Sequence, residues 1–484
     1  MKKILLILLI IFLLIAPYGE KSNKYNFLEC KNVMVLGNAT AGDYNLLLKV
    51  RDPARVGYQA LCIVPKGYEY TYHSPWLGYP MHFVVKNKFI GTVTEGDAPP
   101  NIVKAGMLIN DAGIAYGDAD TLSYLVNPTR NAWDDFDWLR YSAQNSKNLK
   151  EAVSMLQYVV TRLHAPAGAE NIFVVNATMG AVIEADAINF EARYFKDGIV
   201  VQSNYPKLLW KKHLIYPIFV GKSFYSNFSG WVGKGERISL GGLTGIKIVQ
   251  IKNDSIVLRM YPFGFREEIR KGEGTKVGNF YVCLEEIKDG KALIGVWYEY
   301  FIWEKKVKDV LNEKYGKIKL EDLMEISRLH SSDLDGLRGM CEGGYEAATI
   351  YKINRSYPGM LSSIWFAANQ CSSIFVPVHI CDYDMYDAYE NGKAARVAHS
   401  LLTKYGHGKI TKWCVEAEKR FINETERVER KAMELIEKGD YENASIVLTT
   451  SDIKLQMEAM LIEEAWLNES IAKNFGNLYF EKTT

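Results

Sequence analysis

The chain has 484 residues, a formal net charge of +1 and a hydrophobic fraction of 48%. That length exceeds one ordinary domain and predicts two or three with well-buried cores. The near-balanced charge, with no basic stripe, excludes the electrostatic footprint of a nucleic-acid-binding protein.

At the N-terminus, Lys2 and Lys3 precede an apolar run from Ile4 to Ala16 that Pro17 and Gly19 close. A spanning helix needs about 20 apolar residues. The shorter run fits the h-region of a secretory signal, so 1–19 reads as a signal peptide and 20–29 as a leader. No small-x-small cleavage site follows it, which leaves a second reading open: an uncleaved membrane anchor through residues 4–16. Both readings place the protein outside the cytoplasm, secreted or on the cell surface. A lipoprotein signal is excluded because Glu29 stands where a small residue is required. Asn-x-Ser/Thr sequons at Asn38, Asn176, Asn227, Asn253, Asn354, Asn423, Asn443 and Asn468 agree with export. Seven cysteines in an exported chain predict up to three disulfides and one free thiol, with Cys30 the candidate for the unpaired one.

Cys30 opens the run Lys31-Asn32-Val33-Met34-Val35-Leu36, whose β-branched residues predict a buried strand. Further strands are expected at Tyr44–Val50, Tyr58–Val64, Phe83–Thr94 and Ala105–Asn110. One or two helices are expected across Asp134–His164, with Asp134, Asp135 and Asp137 complementing the helix dipole. Strands resume at Ile172–Asn176, Ala181–Ala185 and Gly198–Ser203. Residues 220–303 turn glycine-rich, and short strands without helices predict a small all-β module. Helices follow at Lys305–Lys314 and Leu320–His330, then strands at Ala347–Ile353, Ser363–Ala367 and Ser373–Val378. From Tyr383 the pattern is helical. Amphipathic helices at Ile410–Lys438 and Ile453–Ala472 make 406–484 a helical tail. Paired β runs beside amphipathic helices make the fold class α+β, a layered sandwich.

If the bond before Cys30 is cut, one residue carries both a thiol and an α-amine. The amine's reference pKa of about 7.7–8 lets it take the thiol's proton near neutrality. Downstream, Leu46-Leu47-Leu48-Lys49-Val50-Arg51-Asp52 resembles the second-strand motif of cysteine N-terminal nucleophile hydrolases. That superfamily includes choloylglycine hydrolases, penicillin V acylases, related dipeptidases and acyl-CoA:6-aminopenicillanate acyltransferases. Its motif usually ends Arg-Asn-x-Asp; here Asp52 fits the carboxylate, and either Lys49 or Arg51 stands for the arginine. A cation there favours the thiolate, and the aspartate holds the α-amine. Gly106-Met107-Leu108-Ile109-Asn110-Asp111-Ala112-Gly113 is similar to a family turn whose asparagine donates to the oxyanion, which casts Asn110 in that role. Taken by itself, Asn-Asp-Ala-Gly is a hairpin turn. Gln202-Ser203-Asn204-Tyr205-Pro206 is similar to the family's Thr-Asn-x-Pro and makes Asn204 a second stabiliser.

The resemblance spans about residues 30–212 and 305–403, and it implies a four-layer αββα sandwich over 30–219 and 304–405, with 220–303 inserted. The stretch from Tyr116 to Trp138 suits a substrate-side loop and helix start. Its Asp118, Asp120 and Asp134 are candidates to bind a cationic substrate end, with helix capping as the competing explanation. Arg338 loosely corresponds to a late active-site arginine. The implied function is an exported, self-processing thiol amidohydrolase of the dipeptidase, N-acyl amidase or acyltransferase kind, acting on a small amide or peptide. The alternative is an inactive binding or cell-envelope protein on the same scaffold. An internal cysteine paired with His164 or His330, as in a cysteine–histidine protease, finds no supporting signature around the cysteines. The eight histidines show no i,i+4 pair and no Cys-x-x-Cys occurs, so no metal site and no cofactor are expected.

Overall fold

The computed structural model describes residues 30–52, 57–72, 81–97, 105–212 apart from 122, 124 and 130, and 221–468 apart from 222, 242 and 263. The signal, anchor and leader readings lie outside these residues. Among the described residues no helix is long and apolar enough to cross a membrane.

In chain order, β1 (Lys31–Leu36) and β2 (Tyr44–Arg51) are followed by β3 (Gln59–Val64), β4 (Glu69–Tyr72), β5 (Met81–Val84), β6 (Phe89–Thr94), β7 (Met107–Asn110), β8 (Ala115–Gly117) and the two-residue β9 (Asp120–Thr121). Helices α1 (Asp135–Asn145) and α2 (Leu149–Thr161) precede β10 (Ala169–Val175), β11 (Gly180–Ala185), β12 (Phe190–Phe195) and β13 (Gly198–Gln202). The 220–303 region holds β14 (Asn227–Gly233), β15 (Arg237–Gly241), β16 (Thr244–Ile251), β17 (Ser255–Tyr261), β18 (Arg266–Arg270), β19 (Gly274–Val277), β20 (Phe280–Lys288) and β21 (Lys291–Tyr298). Then come α3 (Glu299–Asn312), α4 (Leu320–Ser327), β22 (Ala347–Asn354), β23 (Ser363–Ala367), β24 (Val376–His379), α5 (Lys393–Tyr405), α6 (Thr411–Glu437) and α7 (Tyr441–Leu467).

Two antiparallel sheets organise the molecule. One runs β13-β1-β2-β22-β23-β24, and the other β12-β11-β10-β8-β7-β6-β3. Met34 and Leu36 of β1 press on Gly180 of β11, where an added Cβ would lie 2.2 Å from the Met34 sulfur, so glycine permits the close approach of the sheets. β1 and β22 are buried almost throughout because both their faces are covered. Helices α1 and α2 close the outer face of the second sheet, burying Trp138, Leu139, Leu156 and Val160. Asp134 caps α1 by accepting from Asp137 N at 3.1 Å, and Asn148 caps α2 by accepting from Glu151 N at 2.9 Å. On the outer face of the first sheet, Trp303 and Val307 of α3, Leu323 of α4, Phe421 of α6 and Leu455 of α7 share its core.

The 220–303 module has its own core between two four-stranded sheets, β14-β21-β20-β19 and β15-β16-β17-β18. The expected strand Lys291–Tyr300 stops two residues early because α3 begins at Glu299. Aromatic contacts among Tyr205, Trp210, Phe224 and Tyr298 join the module to the end of β13.

The C-terminal helices are integral to this packing, whereas amphipathicity alone suggested an appended tail. Glu418 of α6 binds Arg328 through two hydrogen bonds of 2.6 and 2.9 Å and accepts from Phe375 N at 2.9 Å. Glu463 of α7 accepts from Ile374 N at 2.7 Å. His379 at the end of β24 contacts Asp452 at 2.7 Å and Glu429 at 3.3 Å. Burial alone would lower the His379 pKa, but Asp452 and Glu429 carry it up to about 10. A histidine held charged above its ordinary 6.5 contributes its full stability below about pH 6.5 and loses it as pH rises through 10. The stability gap between wild type and His379→Asn, measured by urea unfolding, is therefore expected to be widest near pH 6 and to narrow steadily toward pH 10. A gap that widens with pH would contradict this assignment.

All seven cysteines are free thiols. The expected disulfides are not formed, because the fold keeps Cys62, Cys283, Cys381 and Cys414 on separate elements, while Cys341 and Cys371 touch without being bonded.

Candidate active site

Cys30 sits one residue ahead of β1, at the end of the seam between the two sheets. Strand alternation decides what it meets. Cys30 and Asn32 share one face of the strand, and Asn32 pairs across to Lys49, so Lys49 points the same way. Facing them is β8, where a Cβ on Gly117 would lie 2.7 Å from Asn32 Oδ1. Lys49 Nζ forms an ion pair with Asp118 Oδ1 at 2.8 Å and also donates to the Asp118 carbonyl. Its positive charge also bears on the Cys30 thiol and lowers the thiol's pKa. Asn32 Nδ2 donates to the Asp118 carbonyl at 2.8 Å. Ser203 Oγ donates to the Cys30 carbonyl at 2.6 Å and lies 2.9 Å from Asn204 Oδ1. Asn204 Nδ2 in turn donates to the Asp120 carbonyl at 2.6 Å.

Carboxylates dominate the surroundings. Asp120, Asp135 and Glu170 bring oxygens within 4.8 Å of one another. Burial, then Asp118 and Asp120, push Asp135 well above the usual carboxylate range; burial, then Asp120 and Asp135, do the same to Glu170. Lys49 stays protonated, because Asp118 and Cys30 overcome the cost of its burial. Burial raises the Cys30 thiol pKa, Lys49 lowers it, and Asp118 and Asp120 raise it again. The balance is a rise, so the thiol is held neutral here.

The other sequence candidates fall in different places. Arg51 donates to Gln59 Oε1 and lies 4.7 Å over the Phe136 ring, so Lys49 and not Arg51 is the cation beside the thiol. Asp52 joins Glu342 and Glu346 around Lys31, whose Nζ lies 3.2 and 3.0 Å from those two glutamates. Burial and the neighbouring carboxylates lift Asp52 to about 8. Asp52 belongs to this acidic cluster around Lys31, the residue next to Cys30. Arg338 pairs with Glu299 at 2.6 Å and covers the Tyr300 ring, bracing the start of α3. Asp134 is the α1 cap, and its neighbour Asp135 faces the carboxylate cluster instead. Asp118 and Asp120 both stand at the thiol, as the loop reading expected.

Asn110 is the clearest departure. It closes the β7–β8 hairpin, about 13 Å along the strand from Asp118 at the usual rise per residue. Both its Nδ2 hydrogens are used, donating to the Ala143 and Ser146 carbonyls at 2.9 and 2.8 Å, while Oδ1 accepts from Ala112 N and Ile114 N. The hairpin-turn reading of Asn-Asp-Ala-Gly describes it, and the oxyanion role does not. Asn110→Ala leaves the Ala112 and Ile114 N–H groups without their side-chain acceptor, each worth about 1–3 kcal/mol when buried, while Asn87 still donates to the Ala143 and Ser146 carbonyls. It is expected to lower unfolding stability by a few kcal/mol while leaving the Cys30 alkylation rate in the native protein unchanged.

Motif reading missed Asn32, Ser203, Asp135, Glu170 and Asn171. Asn171 donates to the Ser203 carbonyl at 2.6 Å. Asn32 Oδ1, Glu170 Oε2 and Asn171 Oδ1 are buried and have no hydrogen-bond partner. The only sequence signal for these residues was strand parity: Asn32 lies two residues on from Cys30.

A second cluster lies elsewhere. His330, Cys341, Cys371 and His407 bring their ligand atoms within 4.8 Å of one another. Cys371 Sγ is 2.7 Å from Cys341 Sγ and 3.2 Å from His330 Nε2, and Cys341 Sγ is 3.6 Å from His407 Nδ1. Hydrogen bonds from Cys341, His330 and His407 outweigh burial and draw the Cys371 thiol down to about 4. Spacing rules missed this group because its members come from four separated segments. The imidazole of His164, the other histidine considered, meets the Ala187 carbonyl through Nδ1 at 2.9 Å.

Two mutant forms of conjugated bile acid hydrolase from Clostridium perfringens align over 72% of this chain and 92% of theirs, at 10% identity, with TM-scores of 0.39 and 0.40. Penicillin V acylase from Agrobacterium tumefaciens aligns over 37% of this chain and 52% of its own, at 16% identity, with a TM-score of 0.25. No family model and no curated protein matches the chain. The functional reading therefore rests on the site's own geometry.

Proposed function

We propose that the chain is an exported or cell-surface amidohydrolase whose residues before Cys30 are removed, leaving Cys30 as an N-terminal nucleophile on a four-layer αββα scaffold. The observation that carries this reading is the buried Lys49 ammonium, paired with Asp118 at 2.8 Å and acting on the Cys30 thiol at the head of a central strand. Once the leader is gone, the α-amine takes the thiol proton and the sulfur attacks the amide carbonyl carbon. The tetrahedral oxyanion is met by the Asn204 carboxamide, released from the Asp120 carbonyl. The leaving amine takes the proton back from the α-ammonium, and water or an amine resolves the acyl-enzyme. Asp118 and Asp120, backed by the protonated Asp135 and Glu170, make the surroundings rich in carboxyl groups that an incoming cation would ionise, which favours a substrate carrying a free amine, such as a dipeptide.

The test compares free-amine dipeptides with their N-acetylated forms. The expected result is a kcat/KM at least tenfold higher for the free amine and none for Cys30→Ala. Equal rates, or activity surviving Cys30→Ala, contradict the proposal. A second reading, a binding protein on this scaffold, is favoured by one observation: Asn110 is committed to the hairpin, leaving Asn204 as the one carboxamide of the expected pair at the thiol. That reading predicts no turnover and a retained leader.

A further inference from the structure

The geometry points to a second, unrelated site: a tetrahedral Cys2His2 centre for a zinc-type divalent cation, formed by His330, Cys341, Cys371 and His407. Zinc–sulfur distances of about 2.3 Å and zinc–nitrogen distances of about 2.0–2.1 Å place neighbouring ligand atoms roughly 3.3–3.8 Å apart in a tetrahedron. The 3.2 and 3.6 Å sulfur–nitrogen separations already lie near that range. The 2.7 Å sulfur–sulfur edge must open by about an ångström at those bond lengths, and the remaining edges all lie within 4.8 Å.

The surrounding backbone is built for this approach. Met340 N and Cys341 N both donate to the Leu329 carbonyl, at 2.6 and 3.0 Å, which ties the Cys341 loop to the residue before His330. Gly339 makes the crossing possible, since a Cβ there would lie 3.0 Å from His330 Cα and 2.9 Å from the Cys341 carbonyl. Cys371 is fixed by its own N–H donating to Asn369 Oδ1 at 3.1 Å. Asp333 stands 3.8 Å from His330 Nδ1, the outer carboxylate that turns the other ring nitrogen toward a metal. Both sulfurs are buried while His407 is exposed, so an ion can enter from solvent past His407. Two thiolates and two neutral imidazoles balance a dication, and each coordinating thiol releases its proton to water.

Three other uses of these residues are weighed against it. A Cys371–His330 nucleophile would need an exposed sulfur, and Cys371 is 0% exposed. A disulfide between Cys341 and Cys371 leaves the convergence of two histidines on them without purpose. Four unligated side chains would be the third. The role argued here is a clamp, pinning the loop before α6 to the turn after β23 and to the end of α4.

The experiment measures zinc by mass spectrometry on the purified full-length chain after washing with a weak chelator. It then replaces zinc with cobalt and records the absorption spectrum. About one equivalent of zinc, tetrahedral cobalt bands and a thiolate-to-cobalt charge-transfer band are expected. Cys371→Ser should lower the charge-transfer intensity, because the Cys341 thiolate alone remains to supply it. The exposed His407→Ala variant, which disturbs no core, should fold and weaken zinc binding at least tenfold. Alkylation with mass analysis under denaturing conditions reads the thiols. A Cys341–Cys371 disulfide in the folded protein, free thiols without bound metal, or octahedral cobalt bands would each overturn the proposal.

Discussion

A Lys49→Met chain is expected to lose both Cys30 reactivity and several kcal/mol of stability. Lys49 is wholly buried, and its ammonium is the cation the thiol meets at this end of the seam. Replacing it with an apolar chain of similar length removes the influence that lowers the thiol pKa and leaves burial, Asp118 and Asp120 raising it. Each further unit of rise cuts the thiolate fraction about tenfold. Alkylation of Cys30 at pH 8 should therefore fall at least tenfold. The same change leaves Asp118 buried without its cation beside Asp135 and Glu170, a break that typically costs about 3–5 kcal/mol. The double variant Lys49→Met with Asp118→Asn separates the two effects. Stability should largely return because no uncompensated charge remains, while thiol reactivity should stay low. If alkylation in Lys49→Met matches wild type, the lysine has no hold on the sulfur.

Glu418→Ala carries the second large effect. The Arg328–Glu418 pair is buried and bidentate, and Arg328 Nε also donates to the Gln370 carbonyl at 2.6 Å. Removing the carboxylate orphans the guanidinium and the Phe375 N–H together. A loss of about 3–5 kcal/mol is expected in urea unfolding. Glu418→Gln, which keeps two polar atoms, should lose less. A change under about 1 kcal/mol for Glu418→Ala would mean that α6 contributes little to the sheet it covers, contrary to the packing seen here.

Strands whose two faces are both buried were plain in the sequence. Ser363–Ala367 and Thr244–Ile251 match residue for residue, because a β-branched or aromatic run between turn signals has few other uses. The edge strand β12, Phe-Glu-Ala-Arg-Tyr-Phe, was not legible, because it is half-buried and mixes charge with aromatics. The α7 start at Tyr441 was set twelve residues late, because a helix flanked by packing partners shows no single apolar face. At the site, parity along β1 and β2 carried Cys30 and Lys49 to one place, and that could be read from register. Asn110 misled because a motif of Gly, Met and Asn describes a turn as well as an oxyanion donor, and only the helix end supplying the Ala143 and Ser146 carbonyls decides between them. The Cys2His2 group could not be read at all. Its four members lie on four segments, and no local spacing links residues 330, 341, 371 and 407.

The central claim is that Cys30 becomes a chain start and acts from there. Intact-mass and N-terminal analysis of the mature exported protein, wild type beside Cys30→Ala, tests it most directly. The account predicts a wild-type N-terminus at Cys30 that takes up one iodoacetamide under native conditions, and a Cys30→Ala chain that keeps its leader. A mature wild-type protein that still carries residues ahead of Cys30 would contradict it.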